Sequence, residues 1–295
     1  MKLLLLGGNG QVGRELRRSL APLGELAVAT REGGAGDAAA DFDAPESLAA
    51  LVAGSAPDVV VNAAAYTAVD QAETDREAAF RVNAEAPAAL ARACAECGAL
   101  LVHYSTDYVF DGNATRPYRE DDQTAPLGVY GESKLAGEAA IRDSGARHAI
   151  LRTAWVYAAH GRNFLRTMLR LAGERDALRV VADQVGAPTP ASWIADATAA
   201  MLRRGIDGAG TWHVVADGET SWHGFASAIM REAVAAGLLA RAPGVLPIGT
   251  ADYPTPARRP AYSVLDTARL QRDFGLRPPT WETGLRATLR ELASA

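Results

Sequence analysis

The residues of this chain best suited to acid–base chemistry are a tyrosine and a lysine four positions apart, Tyr130 and Lys134, in the stretch LGVYGESKLAGE. Only two of the 30 basic residues are lysines, Lys2 and Lys134, so arginine serves wherever a positive charge alone is needed. A lysine ammonium is a compact charge with rotatable donors, which a guanidinium cannot imitate. On a helix the two positions share a face, so Lys134 would stand beside the Tyr130 phenol and favour its ionised form. The pair predicts a proton-transfer site.

A second candidate site lies near the start of the chain, where glycines recur every third residue after an apolar run. Gly7, Gly10 and Gly13 in LLLLGGNGQVGREL would let the backbone turn tightly and approach a pyrophosphate at the N-terminus of the next helix. A simple tight turn is the alternative. The position at the first strand–helix junction favours a dinucleotide site.

The end of the second apolar run indicates which dinucleotide binds. An acid there binds the ribose 2′-hydroxyl of NAD, whereas an arginine suits the 2′-phosphate of NADP. The run LAVATRE ends in Thr30 and Arg31, and Glu32 follows. We therefore predict NADPH as the cofactor, with NADH still open; Arg31 as a solvated loop charge is the alternative.

Small and polar residues follow two other apolar runs. Ala63, Ala64 and Ala65 leave room for a cofactor across the strand ends, although tight packing would also explain them. In HYSTDYVFDG, Thr106 and Asp107 come where a reacting carbonyl could be hydrogen-bonded. A loop-capping cluster is the alternative interpretation of this polar segment.

The alternation of patterns along the chain predicts a doubly wound α/β fold. Apolar β-type runs at 3–6, 25–29, 58–61, 100–104 and 149–151 alternate with helical patterns at about 11–21, 45–53, 83–96 and 129–143. This is typical of a parallel sheet with helices on both faces, so residues 1–154 are expected to form a Rossmann-like, NADPH-binding domain. Over 155–295 strands become sparse and proline accumulates, which predicts a smaller, mainly substrate-binding lobe interleaved with the last elements of the first domain.

Composition argues against several classes of protein. The 295 residues are 48% hydrophobic with a net charge of −5 and no basic block, so neither nucleic acid nor a membrane surface is an expected partner. No apolar run is long enough to span a membrane. Cys94 and Cys97 lack further cysteines for a zinc site, so we expect reduced thiols and a cytoplasmic protein. The histidines lack metal spacing and are interpreted as structural or surface residues: His103, His148, His160, His213 and His223.

Together these parts stand in the order expected of a carbonyl reductase, and longer strings resemble a known family. GGNGQVGREL, NAAAYTAVDQAE, HYSTDYVFDG, PLGVYGESKLAGE, RTAWVYA, DQVGAPT and YPTPARRPAYSVLD are similar to the bacterial dTDP-4-dehydrorhamnose reductases of the extended short-chain dehydrogenase/reductase superfamily. The resemblance covers nearly the whole chain. It implies NADPH-dependent reduction of the 4-keto group of dTDP-4-dehydro-L-rhamnose (dTDP-6-deoxy-L-lyxo-4-hexulose) to dTDP-L-rhamnose.

The resemblance also implies roles for individual residues. Tyr130 is the expected proton donor, and Lys134 is expected to bind the cofactor ribose. Thr106 and Asp107 are expected to contact the substrate, and Trp155 to face its sugar. The residues implied to line the cofactor are Gly10, Gln11, Val12, Asp41, Phe42, Ala63, Ala64, Ala65 and Tyr104.

Two expectations concern the second lobe. Arg258 and Arg259 lie in a loop stiffened by prolines and are expected to hold the substrate diphosphate, because guanidinium forks match phosphate oxygens. Solvated charges are the alternative. Glu291 matches a position where some family members bridge subunits through Mg²⁺, which would make the protein a homodimer, although glutamates near a helix end are usually only solvated.

One departure from the family pattern bears on the cofactor, and two other functions stay open. Family members often carry an acid at the end of the second strand, where this chain has Thr30 and Arg31; this favours NADPH over NADH. The open alternatives are another nucleotide-sugar reductase or epimerase on the same scaffold, and a non-catalytic regulatory subunit that binds a dinucleotide and a partner protein.

Overall fold

Strands and helices alternate along the computed structural model, which describes residues 1–34 and 36–294. The strands are β1 Lys2–Leu6, β2 Glu25–Thr30, β3 Ala38–Ala39, β4 Val59–Asn62, β5 Leu100–Thr106, β6 His148–Thr153, β7 Val156–Tyr157, β8 Ala177–Val181, β9 Val185–Gly186, β10 Thr189–Pro190, β11 Ala209–His213, β12 Thr220–Ser221 and β13 Gly244–Ile248. The α-helices are α1 Gln11–Leu20, α2 Pro45–Ser55, α3 Val69–Ala72, α4 Arg76–Phe80, α5 Ala86–Cys97, α6 Val129–Asp143, α7 Phe164–Ala172, α8 Ala191–Arg204, α9 Trp222–Ala235, α10 Ala268–Phe274 and α11 Trp281–Ala293.

Seven parallel strands form the central sheet, in the order β11-β6-β5-β4-β1-β2-β3. The order reverses at β1, which pairs with both β2 and β4. In such a sheet a ligand binds in the crevice outside the carboxyl ends of the strands at the reversal. The predicted doubly wound, Rossmann-like sheet is confirmed, and β11, from the second half of the chain, forms one of its edges beside β6.

Helices cover both faces of this sheet. Leu3 and Leu5 of β1 belong to one core together with residues of α1 and α8, whereas Leu4 and Leu6 belong to a second core with α2 and α5. Side chains alternate between the faces of a strand, so a strand covered on both sides needs a continuous apolar run. Coverage of β1 on both faces therefore explains the leucine run near the start of the chain.

A third core lies outside the sheet, in the second half of the chain. It gathers α7, α9 and α11 beside β8, with Phe225 and Leu285 fully buried. The side chains of Asn163, Ser221 and Thr280 cap these three helices by accepting a hydrogen bond from a backbone N–H of the first turn. No helix in residues 1–34 and 36–294 has the length and apolar character that crossing a membrane requires.

A π-helical turn, Arg81–Glu85, precedes α5 where the sequence pattern predicts regular helix. It places the buried Asn83, whose amide exchanges hydrogen bonds with the Tyr66 backbone at 2.9 and 3.0 Å and donates to Ser133 Oγ at 3.1 Å. A Cβ atom at Gly137 would lie 2.1 Å from the Asn83 carbonyl oxygen, so only glycine permits this packing. The turn therefore fixes α6, which carries Tyr130 and Lys134, against the loop that follows β4.

Candidate active site

The glycine turn between β1 and α1 lies at the point where the strand order reverses. Gly7 has a φ of 78°, and a Cβ atom on it would lie 2.6 Å from the backbone nitrogen of Ala64. A Cβ atom on Gly13 would lie 2.1 Å from the Gly7 carbonyl oxygen. Glycine is needed at both positions, and the turn thereby meets the half-buried residues Ala63, Ala64 and Ala65 that follow β4.

The N-terminus of α1 fits the diphosphate of a dinucleotide. The helix begins at Gln11 after Gly10; within the described chain no side chain caps it, and its first turn contains no acid. Free N–H groups and the positive end of the helix dipole suit a phosphate. Asn163, from the second half of the chain, donates to Gln11 Oε1 at 2.8 Å, while Val12 packs against the first core.

Three of the residues expected to bind the cofactor lie near the end of β2. The Arg31 side chain is 68% exposed, and its guanidinium lies 3.8 Å from the Asp43 carboxylate. Asp41 is exposed and accepts a hydrogen bond from the Asp43 backbone at 2.9 Å. The Phe42 ring is buried in the second core and attaches this loop to it.

Helix α6 presents Tyr130 at the carboxyl end of β5. This strand runs past its predicted end to Thr106, whose Oγ1 accepts from the Tyr108 N–H at 3.2 Å. The Thr106 hydroxyl donates to Asp107 Oδ1 at 3.0 Å. The Tyr108 ring packs edge-on against Tyr130, with centroids 5.7 Å apart. A phenol, a hydroxyl and a buried carboxylate are thus brought together, as the sequence motifs require.

Burial keeps the Tyr130 phenol protonated. It raises the pKa of Tyr130 to about 12; contact with the Thr106 hydroxyl lowers the pKa and the charge of Asp107 raises it. Lys134 is not among the groups that shift this pKa in the protein alone, and its effect on Tyr130 beside a bound cofactor stays a prediction. Burial also raises the pKa of Asp107 to about 6, against the hydrogen bonds of Ser263 and Thr106. A phenol that stays protonated through the neutral range is equipped to donate a proton.

Lys134 is buried beneath the site. Its ammonium donates to the Tyr104 carbonyl oxygen at 2.6 Å and lies 3.3 Å from His103 Nε2. Burial lowers the pKa of Lys134 to about 8, and the charge of Glu138, four residues along α6, opposes this shift. The Tyr104 side chain points elsewhere, with its hydroxyl 2.7 Å from Thr198 Oγ1 on α8. It is the backbone of Tyr104 that reaches the site.

The two arginines predicted to hold the diphosphate have different surroundings. Arg258 is exposed and lines a small cavity beside Tyr130. The Arg259 side chain is 22% exposed and donates to Asp70 Oδ2 at 2.8 Å. Its Nη1 is buried and has no hydrogen-bond partner in the described part of the chain. Asp70 therefore fixes the Arg259 guanidinium through Nη2 and leaves the N–H donors of Nη1 unused.

Trp155 occupies a strained turn. Its φ of 48° is rare for a bulky side chain. The indole stacks on Trp222 with centroids 3.5 Å apart, and a Cβ atom at Gly186 would lie 2.5 Å from it. Such conformations persist where the surroundings enforce them, and they cluster at functional sites.

The metal prediction finds no support within one chain. Glu291 is exposed near the end of α11, and no group of three or more His, Cys, Asp or Glu side chains in residues 1–34 and 36–294 could hold a metal ion. The homodimer stays a prediction. Cys94 and Cys97 are both free thiols on α5, and the cytoplasmic location also stays a prediction.

Three residues of this site were not predicted from the sequence. His103, which was interpreted as structural, contacts Lys134; Tyr108 contacts Tyr130; and Asp70 holds Arg259. One signal was available, because His103 is a polar residue inside an apolar β-type run. Asp70 lies in the string NAAAYTAVDQAE, but nothing in that string indicates its partner Arg259, which only the structure shows.

Fold and site together define a Rossmann-type protein of the short-chain dehydrogenase/reductase type. The chain belongs to the RmlD substrate binding domain family, whose model matches residues 1–294. It is 50% identical over 303 residues to the dTDP-4-dehydrorhamnose reductase of Burkholderia thailandensis, covering 100% of both chains. The structure of a dTDP-4-dehydrorhamnose reductase from Clostridium acetobutylicum has a TM-score of 0.91 at 35% identity and covers 99% of each chain. The Bacillus anthracis dTDP-4-dehydrorhamnose reductase, solved in complex with NADP, has a TM-score of 0.88 at 34% identity, covering 99% of this chain and 100% of its own. The family resemblance expected from the sequence motifs is confirmed.

Proposed function

We propose that the protein is a dTDP-4-dehydrorhamnose reductase, which uses NADPH to reduce the 4-keto group of dTDP-4-dehydro-L-rhamnose to dTDP-L-rhamnose. The observation that carries this proposal is the Tyr130 phenol of α6 beside the Thr106 hydroxyl, at the carboxyl end of β5. Full-length relatives bear the reductase name, and the Bacillus anthracis protein binds NADP.

In the proposed reaction, bound NADPH would supply the hydride to the carbonyl carbon. Tyr130 Oη would donate its proton to the carbonyl oxygen as negative charge develops there. A hydroxyl has one proton to donate, so Thr106 would turn its hydrogen bond from Asp107 to the same oxygen. Hydrogen bonds that strengthen as charge develops lower the barrier.

The remaining residues would bind and orient. The Lys134 ammonium has three donors; one is held by the Tyr104 carbonyl, which leaves donors for the cofactor ribose. The free N–H groups of α1 would meet the cofactor diphosphate. Arg259 Nη1 and the exposed Arg258 would meet the diphosphate of the substrate.

The proposal is tested by following NADPH oxidation by the purified protein with and without dTDP-4-dehydro-L-rhamnose. The product is then identified by NMR. A UDP-linked 4-keto sugar serves as the comparison substrate. Preference for the UDP sugar would favour a different nucleotide-sugar reductase, and no oxidation with either, despite NADPH binding, would favour a regulatory subunit.

Replacing Arg31 with alanine is expected to reduce the preference for NADPH over NADH about two- to fivefold, mainly through KM. The effect is small because the guanidinium is 68% exposed and Asp43 lies nearby, and exposed charge pairs contribute up to about 1 kcal/mol. Steady-state kinetics with both cofactors measures this. A similar rise in KM for NADH would show that Arg31 supports the loop and does not contact the 2′-phosphate.

Replacing Arg259 with alanine is expected to raise KM for the dTDP sugar about tenfold or more, because charge-assisted hydrogen bonds are about twice as strong as neutral ones and this donor is buried. The Kd for NADPH should not change. Arg258→Ala is the matched control, since it removes an exposed guanidinium from the same loop and should raise KM less. A larger effect of Arg258→Ala would assign the diphosphate to that residue.

A further inference from the structure

Three buried polar side chains form a line from the end of β4 to α6, and the proposed reaction uses only the last of them. Asn62 and His103 are partners in the parallel register of β4 and β5, and Asn62 Nδ2 lies 3.0 Å from His103 Nδ1. His103 Nε2 lies 3.3 Å from Lys134 Nζ. Asn62 and His103 are each 1% exposed and Lys134 is 2% exposed, so the three groups are shielded from solvent in the protein alone.

The hydrogen bonds fix which ring nitrogen of His103 carries a proton. Asn62 Oδ1 accepts from the Ala64 N–H at 3.1 Å, so the amide NH₂ of Asn62 points at His103. An NH₂ group can only donate, which makes Nδ1 the acceptor. Burial and the charge of Lys134 hold the pKa of His103 well below its usual 6.5. The ring is therefore neutral, and its one proton is on Nε2.

That proton points at Lys134. A charged Lys134 ammonium has only donors, so it and the Nε2–H of His103 repel each other. A neutral Lys134 amine has a lone pair and accepts a hydrogen bond from the same Nε2–H. Two other groups facing Lys134 favour its charged form. The Tyr104 carbonyl accepts a hydrogen bond from the ammonium at 2.6 Å. The Glu138 carboxylate attracts the ammonium, although Arg152 also pairs with that carboxylate. Tyr130 on the same helix is a neutral phenol.

We propose that Asn62 and His103 are a positioning pair that aims a proton at Lys134 and thereby sets the fraction of Lys134 that is charged. His103 contacts Lys134 and acts through it. The consequence for turnover rests on the proposed reductase function: kcat/KM should fall as pH rises through about 8, because the ammonium that binds the ribose is lost there. The placement of the proton is a property of the protein alone.

Because the chain contains only two lysines, the titration of Lys134 can be followed by NMR. Protein labelled with ¹³C at lysine Cε should give two signals, from the exposed Lys2 and the buried Lys134, and Lys2→Arg assigns them. In the unaltered protein Lys134 should titrate near pH 8. In His103→Gln the amide can turn its oxygen to the ammonium, so the midpoint should rise by about one pH unit or more, while Lys2 stays constant. The alkaline limb of kcat/KM should move by the same amount.

A second measurement needs no variant. Side-chain ¹⁵N NMR of the unaltered protein should show His103 neutral with its proton on Nε2, even if His103→Gln fails to fold. A proton on Nδ1, or an unchanged Lys134 midpoint in folded His103→Gln, overturns the proposal. Both NMR measurements use the protein without cofactor or substrate, so they are decided separately from the reductase activity.

Discussion

Tyr130→Phe is expected to lower kcat about 10²- to 10⁴-fold, the usual contribution of a positioned general acid. The variant keeps the ring, its edge-on contact with Tyr108 and the helix α6, so the fold and the Kd for NADPH should be unchanged. Single-turnover kinetics with the dTDP sugar separates the loss in chemistry from any change in binding.

The matched control for that loss is Tyr157, a tyrosine of the third core. Tyr157→Phe removes a hydroxyl that is buried in the third core and has no assigned role in the proposed chemistry, so it should leave kcat close to that of the unaltered protein. A Tyr130→Phe variant with near-normal kcat would assign the proton to another group. Asp107, whose pKa burial raises to about 6, would then be the next candidate.

Glu138→Ala is expected to lower the free energy of unfolding by about 3–5 kcal/mol, because it strands a buried guanidinium without its partner. Both Glu138 oxygens accept from Arg152, at 2.8 and 2.7 Å, and the two side chains are 0% and 3% exposed. Urea denaturation measures the loss. Glu132→Ala is the control. Glu132 lies on α6 like Glu138, and its 2.7 Å pair with Arg76 of α4 is exposed, so this pair should contribute less than about 1 kcal/mol.

The same pair gives stability a defined dependence on pH. Burial raises the pKa of Glu138, but the hydrogen bonds and charge of Arg152 outweigh burial and leave the pKa below its usual 4.5. A lowered carboxyl pKa stabilises the fold above the unfolded value and loses that effect as pH falls through the folded value. The difference in stability between the unaltered protein and Glu138→Ala should therefore shrink below about pH 4.5. A constant difference down to acid unfolding would assign the loss to packing.

Much of the fold was predictable because its signals are local. Apolar runs and glycine spacing are properties of adjacent residues, and they placed β1, α1 and α6 within one or two residues of their observed bounds. The end of β5 was missed because Ser105 and Thr106 are polar, yet they pair with β6 and are buried there. Pairing with β6, and not the polarity of the two side chains, makes Ser105 and Thr106 part of the strand.

The sequence predicted which residues form the site better than it predicted how their pKa values shift. Sequence spacing placed Tyr130 and Lys134 on one helix, but spacing does not say how deeply each is buried. Burial raises the pKa of Tyr130 and lowers that of Lys134, and the partners of Lys134 come from β5, about 30 residues earlier in the chain. Asp70 and Arg259 meet over a separation of 189 residues, which no local pattern reveals.

The strand β11 has a consequence for how the protein is made. It pairs with β6, and the preceding helix α8 covers α1, where the Ser19 hydroxyl donates to Asp196 at 2.6 Å. A nascent chain that has left the ribosome only as far as residue 154 exposes an unpaired strand edge and the apolar face of the helix that follows the glycine turn. Unpaired edges promote association with other chains. The first 154 residues are therefore not an independent unit, and a gene fragment or a recombination crossover placed at residue 154 separates them from the strand and helix that complete their sheet and core.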